Sequence, residues 1–108
     1  MAVLEANSKM VQERLEEDQP LLLEFYATWC PHCKRMAPTY EDVAERLEGE
    51  VDVWRIDGDE SIELATDLNV EGFPTFILFE SGKPVRKTAG EMTADTLLAE
   101  LELLPSNV

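Results

Sequence analysis

Glu24-Phe25-Tyr26-Ala27-Thr28-Trp29-Cys30-Pro31-His32-Cys33-Lys34 is the stretch on which the reading of the fold turns. The apolar run Leu21 to Ala27 leads into it, nearly unbroken and rich in large side chains. Such a run suits a central strand covered on both faces rather than an edge. Only Glu24 interrupts it. Beyond the cysteines, Cys33, Ala37, Tyr40, Val43, Ala44 and Leu47 recur at steps of three and four. That spacing predicts a half-buried helix from Pro31 to Glu48, stopped by Gly49. Pro31 falls in its first turn, where a missing N–H costs nothing.

Further elements follow on either side. Asn7 or Ser8 can cap a helix running to about Glu17, with Met10, Val11 and Leu15 on one face and Asp18-Gln19-Pro20 ending it. Val51 to Ile56 reads as a strand, the turn-rich Asp57-Gly58-Asp59 follows, and a short helix spans Ser61 to Leu68. Thr75 to Phe79 is a strand, and Ser81-Gly82-Lys83 turns it into an antiparallel partner near Val85 to Ala89. Thr93 can cap a last helix with Leu97, Leu98, Leu101 and Leu104 in one stripe, closed by Pro105. Two strands separated by the long helix imply a parallel βαβ unit, to which the hairpin adds antiparallel strands. The expected class is α/β: a mixed central sheet of four to five strands, helices on both faces, and a C-terminal hairpin plus helix.

The chain has 108 residues, 44% of them hydrophobic, which is enough for one core and one domain over residues 1–108. Its formal charge of -14 repels phosphates and anionic lipid, so neither nucleic acid nor membrane is expected as a partner. No apolar stretch of about 20 residues is present. The start Met1-Ala2-Val3-Leu4-Glu5 lacks the basic and apolar segments of a signal peptide, and a cytoplasmic location is expected.

Two cysteines three residues apart cannot form the multi-bridge framework of small secreted domains, so a reactive or metal-binding pair is the better reading. A metal would need further ligands, and the one soft or imidazole candidate left, His32, is locked between the cysteines; no metal is expected. A structural disulfide closing so short a loop constrains the unfolded chain little. Where a buried strand hands over to a helix, free backbone N–H groups and the helix dipole favour a thiolate, which makes Cys30 the attacking sulfur. Cys33, one turn deeper on the apolar face, is placed to resolve a mixed disulfide between Cys30 and a substrate.

The stretch from Glu24 to Lys34, followed by Pro38, by Gly72-Phe73-Pro74-Thr75-Phe76 and by Gly90, resembles the thioredoxin superfamily from Leu21 to Leu104. The resemblance implies a thioredoxin fold and a thiol-disulfide oxidoreductase with a redox-active Cys30–Cys33 disulfide, no bound cofactor, disulfide-containing protein substrates, a thioredoxin reductase-like recycling partner and a monomeric chain. It makes Pro74 the family's cis-proline, opposite the cysteines, with Phe73 offering its backbone to an extended substrate and Trp29, Pro31 and Gly90 flanking the site. It places Glu24 behind the second cysteine, where a desolvated carboxyl can exchange a proton with Cys33 near neutral pH.

Two departures stand out. Pro31-His32 replaces the Gly-Pro spacer of typical thioredoxins and matches that of strongly oxidising disulfide oxidases. An imidazole beside Cys30 favours its thiolate and makes the disulfide a better oxidant. Val53 stands where typical thioredoxins carry a lysine near the buried acid, so relay through that lysine is not expected. Trp54 reads as sheet packing, and Arg55 has no assigned role. An oxidase or isomerase in an oxidising compartment, and a non-catalytic binding module, are the alternative functions.

Overall fold

The computed structural model describes residues 2–103. In chain order the elements are β1 (Leu4–Ala6), α1 (Ser8–Arg14), β2 (Leu21–Tyr26), α2 (Pro31–Arg46), β3 (Asp52–Asp57), α3 (Ile62–Asp67), β4 (Thr75–Glu80), β5 (Lys83–Ala89) and α4 (Ala94–Glu100). The strands form one five-stranded sheet in the order β1-β3-β2-β4-β5. β3 runs parallel to both β1 and β2, while β4 is antiparallel to β2 and β5 to β4. This is the expected mixed sheet, with the βαβ unit and the hairpin joined through β2.

Alternate residues of the central strands feed two cores. Leu22, Val53, Phe76 and Leu78 pack with Met36, Tyr40, Val43, Ala44 and Leu47 of the α2 segment and with Leu97, Leu98 and Leu101 near α4. On the opposite face Leu21, Leu23, Phe25, Ile56, Ile77 and Phe79 meet Val11 of α1 and Leu64 and Ala65 of α3. All six residues of β2 are buried, which explains the missing alternation in its sequence. Among the described residues no helix is long and apolar enough to cross a membrane.

Local readings shift at several places. β1 was not legible, because three residues with two exposed carry no period; only pairing with β3 makes them a strand. α1 ends at Arg14 rather than near Glu17. The buried Arg14 guanidinium donates to the carbonyls of Gln19 and Pro20, each at 3.1 Å, and to Asp52 Oδ2 at 2.8 Å, tying the following turn back onto the helix end. In α2 it is Met36 that is buried, whereas Ala37 is half-buried, and the helix stops at Arg46 with Leu47 as its C-cap. Thr93 caps α4 through Thr96 N–H as expected, but Leu104 and Pro105 lie outside the described residues.

The β4–β5 turn has positive φ at both Ser81 (52°) and Gly82 (77°), the pairing that suits a two-residue hairpin. A Cβ at Gly82 would also run into the carbonyl oxygen of Leu15. Gly82→Ala is therefore expected to destabilise the protein by at least about 2 kcal/mol, from left-handed strain plus a backbone clash, read as a lower urea midpoint. An unchanged midpoint would show that the turn and Leu15 separate freely.

Candidate active site

β2 ends at Tyr26, and four residues later Cys30 becomes the N-cap of α2, with φ of -83° and Pro31 in the first turn. Its sulfur accepts the Cys33 N–H at 3.2 Å, taking the place of the oxygen that usually caps a helix. The Cys30 thiol in turn faces the Phe73 carbonyl oxygen at 3.6 Å. Tyr26, Ala27, Cys30 and Cys33 form a small buried cluster of their own, with Phe73 packed against it.

The second wall comes from the segment before β4. The Phe73–Pro74 peptide bond is cis, as the resemblance implied, and Pro74 accepts the Gly90 N–H at 2.9 Å. Phe73 is thus brought to Cys30, and Gly90 to Pro74, from chain positions far apart. Trp29 is 63% exposed, lies edge-on to Phe73 with ring centroids 6.0 Å apart, and donates its indole N–H to Asp59 Oδ2 at 2.7 Å. Gly58 matters here through close approach, since a Cβ would overlap the Phe73 ring. Pro31 and His32 are exposed at the helix start.

Beneath the cysteines the sheet carries charge. Glu24 is 3% exposed, and burial pushes its carboxyl up to about 7, with Arg55 opposing and Glu5 reinforcing that rise. Burial also raises the Cys33 thiol to about 12, and the hydrogen bond with Cys30 adds to the rise. Cys33 is therefore protonated at neutral pH and needs a base to become a nucleophile. Glu24 is the buried titrating group near it.

The cation paired with Glu24 on the neighbouring strand is Arg55, two residues beyond the apolar, buried Val53. Glu5, Arg55 and Glu24 stand opposite one another across β1, β3 and β2. The Arg55 guanidinium carbon lies 3.6 Å from the Tyr26 ring centroid, and Nε is 3.6 Å from Glu5 Oε1. Tyr26 donates its hydroxyl to Glu5 Oε2 at 2.7 Å, closing the group. Among the described residues Arg55 Nε is buried with no hydrogen-bond partner, so its link to Glu5 is a charge attraction across 3.6 Å. Arg55, Tyr26, Glu5 and Asp59 had no assigned function in sequence; strand register and the β3–α3 turn, which bring them in, have no local signature. Trp54 packs against the core of the α1 and α3 face, as expected.

A Thioredoxin family model matches residues 2–103. The chain is similar to Thioredoxin Y, chloroplastic, of Oryza sativa subsp. japonica, at 37% identity over 91 residues, 83% of this chain and 54% of that protein. It therefore spans about half the length of that relative. A thioredoxin-like protein of Synechocystis is 34% identical over 103 residues, 95% of this chain and 98% of its own length. The Bifunctional thioredoxin reductase/thioredoxin of Mycobacterium leprae is 35% identical over 94 residues, 87% of this chain but 20% of that protein.

Glu24 makes stability depend on pH. Its folded-state pKa is raised from 4.5 to about 7, so its contribution is fully present below about 4.5 and lost as pH rises through about 7. A shift of this size corresponds to about 3 kcal/mol. Glu24→Gln, which cannot ionise, should match the parent near pH 4 and exceed it above pH 7 by up to about 3 kcal/mol in urea unfolding. A difference that stays constant with pH would show that Glu24 is not buried as an acid.

Proposed function

Because the chain belongs to the thioredoxin family, we propose that it is a thiol-disulfide oxidoreductase that reduces protein disulfides through Cys30 and Cys33. The observation that carries this reading is the asymmetry of the two sulfurs. Both sulfurs are buried, but Cys30 caps a helix and accepts an amide N–H, whereas Cys33 is raised to about 12 and close to an acid at about 7.

The Cys30 thiolate attacks one sulfur of a substrate disulfide, and the other sulfur leaves as a thiolate that takes up a proton. A mixed disulfide joins Cys30 to the substrate. Glu24 accepts the Cys33 proton, and the Cys33 thiolate attacks Cys30 Sγ. The Cys30–Cys33 disulfide forms, and the second substrate thiolate departs and is protonated. The substrate gains two electrons from the protein and two protons, one released from Cys33 by way of Glu24 and one from the solvent that took it up when Cys30 ionised.

Trp29, Pro31, Phe73, Pro74 and Gly90 border the path of the substrate, with the Phe73 backbone pairing to an extended peptide. Arg55 holds Glu24 within reach of neutral pH. Burial alone would push the acid higher and leave it protonated, unable to serve as a base. Unlike a lysine, Arg55 keeps its proton and so acts only as a fixed charge.

We place the protein in the cytoplasm as a monomer, recycled by a thioredoxin reductase. The Mycobacterium leprae relative, named for both activities, supports that pairing. His32 favours a second reading, a disulfide oxidase or isomerase, because an imidazole beside Cys30 stabilises the reduced form. Equilibration with graded glutathione buffers separates the two: a potential near that of the glutathione pool or above would sink a dedicated reductase.

Cys33→Ser is expected to accumulate a mixed disulfide with an insulin substrate, visible on non-reducing gels, while Cys30→Ser forms none and reduces nothing. Trapping by Cys30→Ser and not by Cys33→Ser would reverse the roles, and equal trapping by both would remove the distinction between them. Arg55→Met should move the pH midpoint of the resolution step upward by about one unit, measured by rapid quench of the mixed disulfide. A midpoint that stays in place would remove Arg55 from the tuning of Glu24.

A further inference from the structure

His32 is joined to a charge cluster that the oxidoreductase reading does not use. Its Nδ1 lies 2.9 Å from Glu91 Oε1 and 3.0 Å from Arg35 Nη2. Arg35 also donates from Nε to both Glu91 oxygens, at 3.0 and 3.2 Å. Glu91 is 59 residues from His32 in sequence and follows Gly90, which is itself tied to Pro74. The segment after β5 is thereby fastened to both walls of the cysteine site. Thr39, Met92 and Thr93 line the hollow beside the imidazole and carry no charge, so Arg35 and Glu91 are the charged groups that face it.

The geometry holds a competition at one atom. When Nδ1 carries a proton it donates to Glu91, and the guanidinium of Arg35 opposes it. When Nδ1 is bare it accepts from Arg35, and the carboxylate opposes it. Glu91 therefore favours the charged imidazole and Arg35 the neutral one. The Arg35 forks hold the Glu91 carboxylate in place, and they with His32 lower the Glu91 pKa, which keeps it an anion.

We propose that Glu91 is a positioning residue for His32: it fixes the imidazole and favours its charged form, and so raises the oxidising power of the Cys30–Cys33 pair. This rests on the reading that the His32 charge stabilises the Cys30 thiolate. The direction separates this route from a direct one. Acting through His32, loss of the Glu91 charge makes the disulfide a weaker oxidant. Acting through space on Cys30, loss of a nearby negative charge would favour the thiolate and make the disulfide a stronger one.

The test uses the full chain and the exposed-site variants Glu91→Gln, Arg35→Gln, His32→Asn and Glu91→Gln with His32→Asn. NMR titration of the His32 ring protons should show the midpoint moving down in Glu91→Gln and up in Arg35→Gln. The equilibrium read is protein disulfide plus two glutathione thiols giving protein dithiol plus glutathione disulfide. Its constant near neutral pH should fall roughly threefold to tenfold in Glu91→Gln. The same substitution should have no effect once His32 is Asn. Unmoved imidazole midpoints overturn the cluster itself. A constant that rises, or that changes equally without His32, overturns the route through the imidazole. If His32→Asn alone leaves the constant unchanged, the reading of His32 as a tuner of Cys30 fails instead, and the proposal with it.

Discussion

The site depends on one junction, where a strand buried on both faces ends against the N-terminus of a helix. β2 is fixed by packing above and below, so the residues just after Tyr26 have little freedom. α2 begins at Pro31 with Cys30 as its cap. That single arrangement makes the two cysteines unlike each other. One sits at the positive end of a helix with an amide pointed at its sulfur, and the other is carried a turn deeper into apolar surroundings. In the reduction proposed above one sulfur attacks and its partner waits, and position alone gives identical side chains those parts.

Charge is arranged with comparable economy in a chain that holds 23 acidic residues and 9 basic ones. Three arginines have distinct tasks. Arg14 is buried and spends its donors on carbonyls and Asp52, closing the end of α1. Arg55 stands over Tyr26 between two acids and opposes the burial of Glu24. Arg35 forks onto Glu91 at the rim of the site. Exposed pairs of the last kind contribute little to stability, so the interest of that pair lies in the imidazole it surrounds.

The central strand, the cysteine helix, the C-terminal hairpin and the cap of the last helix were all legible in sequence, because each follows from short-range rules of period, capping and turn chemistry. Boundaries moved where a distant group intervened, as Asp52 does by pairing with Arg14 at the end of α1. β1 was invisible for a related reason. A three-residue strand with exposed side chains exists only because β3 offers it an edge.

For the candidate site, sequence alone determined the identity of the reactive pair, its place at a helix start and the lone acid within an apolar run. Those are properties of neighbours along the chain. Tertiary structure decided that Phe73 meets Cys30 and Gly90 is tied to Pro74, that Arg55 rather than a group at position 53 supplies the cation facing Glu24, and that Glu91 reaches His32. Each of these depends on strand register or on the segments just before β4 and just after β5. No local pattern encodes which residue then stands opposite, because electrostatic effects follow distance in space and not separation in sequence.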